Sequence, residues 1–256
     1  MIFETHAHYD DEQFDEDREE LLSSLAAHGI GTVVNVGASM AGSEATVRLA
    51  QQYPFVYGAV GVHPSEVEEL NEEKLARLRD LCGHKKVVAV GEMGLDYHYS
   101  DPAPSLQKEW FVRQLDLAKQ VKLPVIIHSR EAAKDTLDIM QAHHAEETGG
   151  VVHCFSYTKE MAKEYLDMGY YFGIGGVITF KNAKKLKEAV QYIPMDRILL
   201  ETDSPYLSPE PHRGERNSSL NLISIAQAIA ELKETAFEEV VETTQRNAKK
   251  LFRLPD

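Results

Sequence analysis

The sequence predicts a (β/α)8 TIM barrel with an extra C-terminal helix. Apolar runs of strand length alternate eight times with amphipathic stretches, which implies parallel pairing through helical crossovers. Residues able to bind a metal follow several of the runs at their C-terminal ends, the face on which barrels of this kind build their active sites. No Ser/Gly/Pro-rich linker divides the chain, so all 256 residues are expected to form one domain, of the size usual for such a barrel.

The first predicted strand, residues 2–6, runs into His6-Ala7-His8. Alternate strand residues share a face, so the two imidazoles converge on one point. The acid-rich segment 10–20 then precedes a helical pattern over 17–28, where negative charge favours the first turn, and Gly29 sits at its C-cap. Strands follow at 32–36 and 56–60, separated by a helix at 41–53, and a helix at 72–82 leads to the strand 87–91 that ends at Glu92. After a helix at 105–121, Pro124 interrupts the helical pattern and opens the strand 124–128, which ends in His128. A helix at 131–144 precedes the strand 150–154, which contains His153, and a helix at 159–168 is stopped by Gly169. The strand 171–174, the helix 182–191 and the strand 197–201 lead to Asp203, and helices at 219–232 and 236–252 end the chain. A doubly wound open sheet alternates in the same way, but it usually carries an early glycine-rich phosphate loop. Gly173-Ile174-Gly175-Gly176 comes late and lacks that spacing.

Composition narrows the function. A formal net charge of -14 argues against gripping long duplex nucleic acid through a broad basic face, while leaving open a nucleic-acid substrate held locally by metal and a few arginines. No apolar stretch reaches the ~20 residues that span a bilayer, and the N-terminus lacks a signal-peptide pattern; a cytoplasmic protein without membrane association or an obligate protein partner is expected. Cys82 and Cys154 form no CxxC motif. On a continuous strand Cys154 would face away from His153 and serve packing.

His6, His8, Glu92, His128, His153 and Asp203 would meet at one mouth of the barrel. Four imidazoles and two carboxylates exceed what a single tetrahedral ion with an open position requires, so two divalent ions are expected, and the imidazoles suit Zn2+, Mn2+ or iron better than Mg2+. Glu92, with two oxygens, is the expected bridge, and Asp203 is placed both to bind an ion and to take a proton from attacking water. His63, after the third strand, is expected to contact substrate or support a ligand. Arg130 and Arg213 lie in loops on the same face and suit an anionic group such as phosphate; alternatively, they pair with Glu131, Glu210 or Glu215.

These residues fall in motifs that are specific in combination: Thr5-His6-Ala7-His8 with Phe14 and Asp17, Gly61-Val62-His63-Pro64, Gly91-Glu92-Met93-Gly94-Leu95-Asp96-Tyr97, Pro124 through Arg130, His153-Cys154-Phe155-Ser156, and Glu201-Thr202-Asp203-Ser204-Pro205-Tyr206-Leu207 with Arg213-Gly214 and Asn217, ending with Asn247 through Leu251-Phe252. Over its whole length the chain resembles the TatD family of metal-dependent deoxyribonucleases, within the amidohydrolase-like barrel superfamily. The resemblance implies metal ligands at the six residues above. It also implies exonuclease-type hydrolysis of DNA, single-stranded or at ends, supported by Mg2+ or another divalent ion. Some superfamily members bridge their metals with a carboxylated lysine after the fourth strand; Glu92 at this position favours the TatD-like branch. Two departures, Tyr157 and Ser218-Ser219, lie in loops that could touch substrate. Two rival functions are an esterase acting on aminoacyl-tRNA or another amidohydrolase-type substrate, and a non-catalytic binding barrel stabilised by metal.

Overall fold

The structure is a computed structural model and describes residues 1–255. Eight strands form one sheet in sequence order, all neighbours parallel: β1 (Ile2–Ala7), β2 (Ile30–Val36), β3 (Val56–Val60), β4 (Val87–Asp96), β5 (Val125–Arg130), β6 (Gly150–Val152), β7 (Tyr171–Ile174) and β8 (Ile198–Leu200). Their crossovers are α1 (Arg18–Ser24), α2 (Met40–Gln52), α3 (Glu72–Cys82), α4 (Pro104–Val121), α5 (Ala133–Ala142), α6 (Lys159–Asp167) and α7 (Lys184–Tyr192); α8 (Leu222–Lys233) and α9 (Phe237–Phe252) follow β8. The TIM barrel and its additional C-terminal helix are those the sequence predicts. No helix of the described residues is long and apolar enough to cross a membrane.

The seam between β8 and β1 closes at the mouth. Thr5 Oγ1 donates to Leu200 O, Asp203 N to His6 O at 2.9 Å, and His8 N to Ser204 O at 2.7 Å. Barrel closure thereby brings His6 and His8 beside Asp203, from opposite ends of the chain. Inside the barrel, Phe3, Val34, Val36, Val88, Ile126, Val151 and Leu199 form a buried apolar cluster, joined at the opposite end by Ala248, Leu251 and Phe252 of α9. The Phe3 and Phe252 rings stack with centroids 6.1 Å apart. The extra helix therefore seals the interior away from the site.

The differences from the predicted elements have local causes. The helix expected over 17–28 divides into α1 and a 3-10 turn, Leu25–His28, which Gly29 ends at φ 83°. The fourth strand extends past Glu92 to Asp96, with an irregular register against β5 between Val90 and Met93. Gly91 lies within that irregularity at φ 147°, and a Cβ there would fall 2.6 Å from Ile126 O. Only glycine lets β4 and β5 approach this closely while Glu92 is turned toward the centre. In contrast, β6 ends at Val152, and Cys154 adopts φ 46°. Past the strand end, alternation no longer holds, so Cys154 lines the same cavity as His153 instead of facing away.

Candidate metal centre

A cavity of about 790 Å³ opens at the C-terminal ends of the strands, lined by His63, Asp96, His128, Arg130, His153 and Asp203 among others. Beneath it lies Glu92, 3 % exposed. Its Oε1 stands 2.7 Å from His128 Nδ1 and 2.9 Å from His153 Nε2; its Oε2 stands 3.5 Å from His6 Nε2 and 3.8 Å from His8 Nε2. Each carboxylate oxygen thus serves a different pair of imidazoles. Asp203 Oδ1 completes the second group, 3.6 Å from His6 Nε2 and 3.3 Å from His8 Nε2.

This donor set suits divalent metal. Ligand atoms ~2.0–2.2 Å from one ion stand ~3.0–3.5 Å from each other, close to the separations around Oε2 and Asp203. His6 Nε2 and His8 Nε2 face each other at 3.1 Å, and buried His6 Nδ1, His153 Nδ1 and Glu201 Oε2 have no hydrogen-bond partner. The described side chains also form three groups compatible with an ion: His6, His8 and Asp203; His6, His153 and Glu201; and His63, Glu92 and His128.

The electrostatics favour positive charge. Burial opposes ionisation of Glu92, but His153, His128 and His6 overcome it and hold the carboxyl well below its usual range. Burial likewise opposes charge on His8, yet the carboxylates of Asp203 and Glu92 move it up to about 9. The carboxylates that raise His8 would favour a metal cation in the same way, whereas burial and the neighbouring His153 lower the pKa of His6. His8 Nδ1 lies 2.7 Å from Val36 O; donation to this carbonyl leaves the Nε2 lone pair facing the centre.

His63 carries the opposite tautomer. Its Nδ1 accepts from Ser65 N at 3.1 Å, so in the neutral ring Nε2 holds the proton, 3.9 Å from Glu92 Oε1. Burial and the neighbouring His128 push its pKa down to about 3. His63 therefore presents an N–H donor to the cavity.

The arginines occupy distinct places. Arg130 lines the cavity, its Cζ 5.7 Å from the Tyr99 ring centroid, while the adjacent Glu131 pairs with His98 Nδ1 at 2.8 Å. Arg213 lies over Phe180, 4.3 Å from the ring centroid, and is not among the residues lining the cavity. Arg216 binds Asp17 through both carboxylate oxygens, at 2.8 and 2.5 Å.

Three buried carboxylates absent from the predicted set support these residues. Asp96 Oδ2 stands 3.0 Å from His128 Nε2, and this contact overcomes burial to keep the Asp96 carboxyl below its usual range. Glu201 accepts from Cys154 N at 2.5 Å and stands 3.4 Å from His153 Nδ1. Glu4 accepts from Thr202 N, Thr202 Oγ1, Ser219 Oγ and His6 N, and burial raises its pKa to about 8. Glu201 was legible in principle, since it lies two residues before Asp203 in an otherwise apolar run.

A TIM barrel that gathers imidazoles and carboxylates at its C-terminal mouth defines the class: a metal-dependent hydrolase. The chain belongs to the TatD related DNase family, whose model matches residues 3–253. It is 46% identical over 254 residues to the uncharacterized metal-dependent hydrolase YabD of Bacillus subtilis, covering 99% of this chain and 100% of that protein. It is 36% identical over 246 residues to a protein of Cronobacter sakazakii named 3'-5' ssDNA/RNA exonuclease TatD, covering 94% of this chain and 93% of that one. The crystal structure of YJJV, a TatD homolog from Escherichia coli K12, superimposes with a TM-score of 0.93 at 32% identity, covering 99% of this chain and 98% of that one.

Proposed function

We propose that this hydrolase cleaves phosphodiester bonds of single-stranded DNA from an end, with two divalent ions at the centre built around Glu92. The observation carrying this reading is the division of Glu92: Oε1 toward His128 and His153, Oε2 toward His6 and His8. His6, His8 and Asp203 would hold one ion, and His128 and His153 the other, with Glu92 shared. Bound there, such ions would supply Lewis-acid polarisation of a phosphoryl oxygen and a lowered pKa for water.

The chain's own residues supply the rest. Asp203, its carboxyl kept ionised by His8 and the other imidazoles against the effect of burial, takes the proton from water as the water oxygen bonds to phosphorus, and returns it to the sugar oxygen released as the old P–O bond breaks. His63 Nε2–H donates to a phosphate oxygen, and Arg130 clasps the same group or its neighbour. Arg213, farther out, holds a phosphate beyond the cavity. The exonuclease name of the Cronobacter relative supports an unpaired strand as substrate.

The test is shortening of an end-labelled single-stranded oligonucleotide by protein loaded with Mg2+, Mn2+ or Zn2+. Glu92→Ala is expected to abolish shortening while circular dichroism shows the fold intact. Intact DNA in all three metals would overturn the reading, and release of amino acid from charged tRNA in the same conditions would transfer the chemistry to a carboxylic ester.

A further inference from the structure

We infer that Tyr99 and Arg130 form a nucleobase subsite on one side of the cavity mouth, where an unpaired base stacks beside the scissile phosphate. The subsite rests on the phosphodiester reading and specifies what the strand presents to it. Six large hydrophobic side chains of the described residues are exposed, and three of them, Tyr99, Tyr206 and Leu207, line this one cavity at 61, 49 and 41 % exposure. Scattered exposed hydrophobics need no explanation, but a concentration around one opening marks a contact surface. Tyr99 follows β4 and Tyr206 follows β8, half-way round the barrel, so the two rings stand on opposite sides of the mouth.

The two walls differ. Tyr206 is fixed: its hydroxyl donates to Asp11 Oδ2 at 2.8 Å and its ring meets His8 with centroids 6.2 Å apart. Among the described residues Tyr99 meets His98 edge-on, 4.9 Å between centroids, and the Arg130 guanidinium over its ring at 5.7 Å. His98 in turn holds Glu131, which keeps that carboxylate off Arg130. An exposed ring with a guanidinium over it, its neighbouring carboxylate paired elsewhere, offers a stacking surface for a base and a charge for its phosphate. A base within a duplex is already stacked and cannot use this face, so the subsite selects single strands or frayed ends.

The experiment uses single-stranded oligonucleotides carrying 2-aminopurine at either the 3′ or the 5′ terminus, mixed with metal-loaded protein and followed by stopped-flow fluorescence within the first turnover. Wild type is expected to quench the probe at one terminus. Tyr99→Ala should remove the quench and weaken binding about tenfold; Tyr99→Phe should keep both. Tyr192→Ala, an exposed tyrosine on α7 outside the cavity, should behave as wild type. If Tyr99→Ala quenches and binds like wild type while the strands are cut, the subsite is overturned and the phosphodiester reading stands. Quenching through Tyr99 without cleavage removes the phosphodiester reading, and with it the subsite's place beside a scissile phosphate, while base stacking on Tyr99 stands; an oligonucleotide that does not bind removes both.

Discussion

Asp96 Oδ2 lies 3.0 Å from His128 Nε2, across the imidazole from Glu92 Oε1, which stands 2.7 Å from Nδ1. One ring is thereby held between two buried carboxylates. With Nε2–H donated to Asp96, the Nδ1 lone pair is directed at the centre, the arrangement by which outer carboxylates fix the tautomer and basicity of a ligand. Asp96→Asn keeps the shape but loses the charge. It should weaken metal binding about 10- to 100-fold, measured by competition with a chromophoric chelator; unchanged affinity would show that His128 needs no such support.

Glu4 plays a structural part at the seam. It accepts from two backbone N–H groups and two hydroxyls, joining β1 to the Thr202 and Ser219 segments. Glu4→Ala leaves those buried donors unpaired, each a desolvated polar group without compensation. The expected loss is ~3 kcal/mol, a fall of about 6–12 °C in the midpoint of thermal unfolding for a chain of this size. A midpoint within 2 °C of wild type would mean that water replaces the carboxylate.

The pattern visible in the sequence was a ligand-type residue at the end of a buried run, and it located His6, His8, Glu92, His128, His153 and Asp203 around one mouth. That rule works because barrel strands are parallel, so all their C-terminal ends lie on one face. It loses power where a strand departs from regularity. Glu92 lies inside β4, and Gly91 and Gly94, both at positive φ, turn the backbone so that Glu92 and Asp96 reach the site together. Cys154 enters the cavity because β6 stops early, which alternation cannot foresee. Glu4 and Glu201 sit within apolar runs, where composition reads as strand; a carboxylate in such a run is itself a signal, because burying one demands partners. Arg130, Arg213 and Arg216 look equivalent in sequence, but each has a different neighbour: Tyr99, Phe180 and Asp17 respectively.

Arg216 anchors the long loop after β8 by binding both Asp17 oxygens and Gln13 O, with its guanidinium 4.7 Å from the Phe14 ring centroid. The Arg216 contact holds the Asp17 carboxyl below its ordinary range. An acid depressed in the folded state contributes stability that is complete above its unfolded value of ~3.9 and is lost as pH falls through the lower folded value. Both side chains are about a third exposed, so solvent screening limits the pair to ~0.2–1 kcal/mol. Arg216→Met should therefore barely change global unfolding. The same substitution releases the loop that carries Tyr206 and Leu207 to the cavity mouth, so amide exchange across residues 206–217 should quicken several-fold at neutral pH. Acidification should quicken it in wild type only below the ordinary carboxylate range, after correction for intrinsic exchange, and should add little in the variant. Equal protection in both proteins at neutral pH would show that the hydrogen bonds from Asn217 Nδ2 to Thr202 O and Tyr206 O hold the loop unaided.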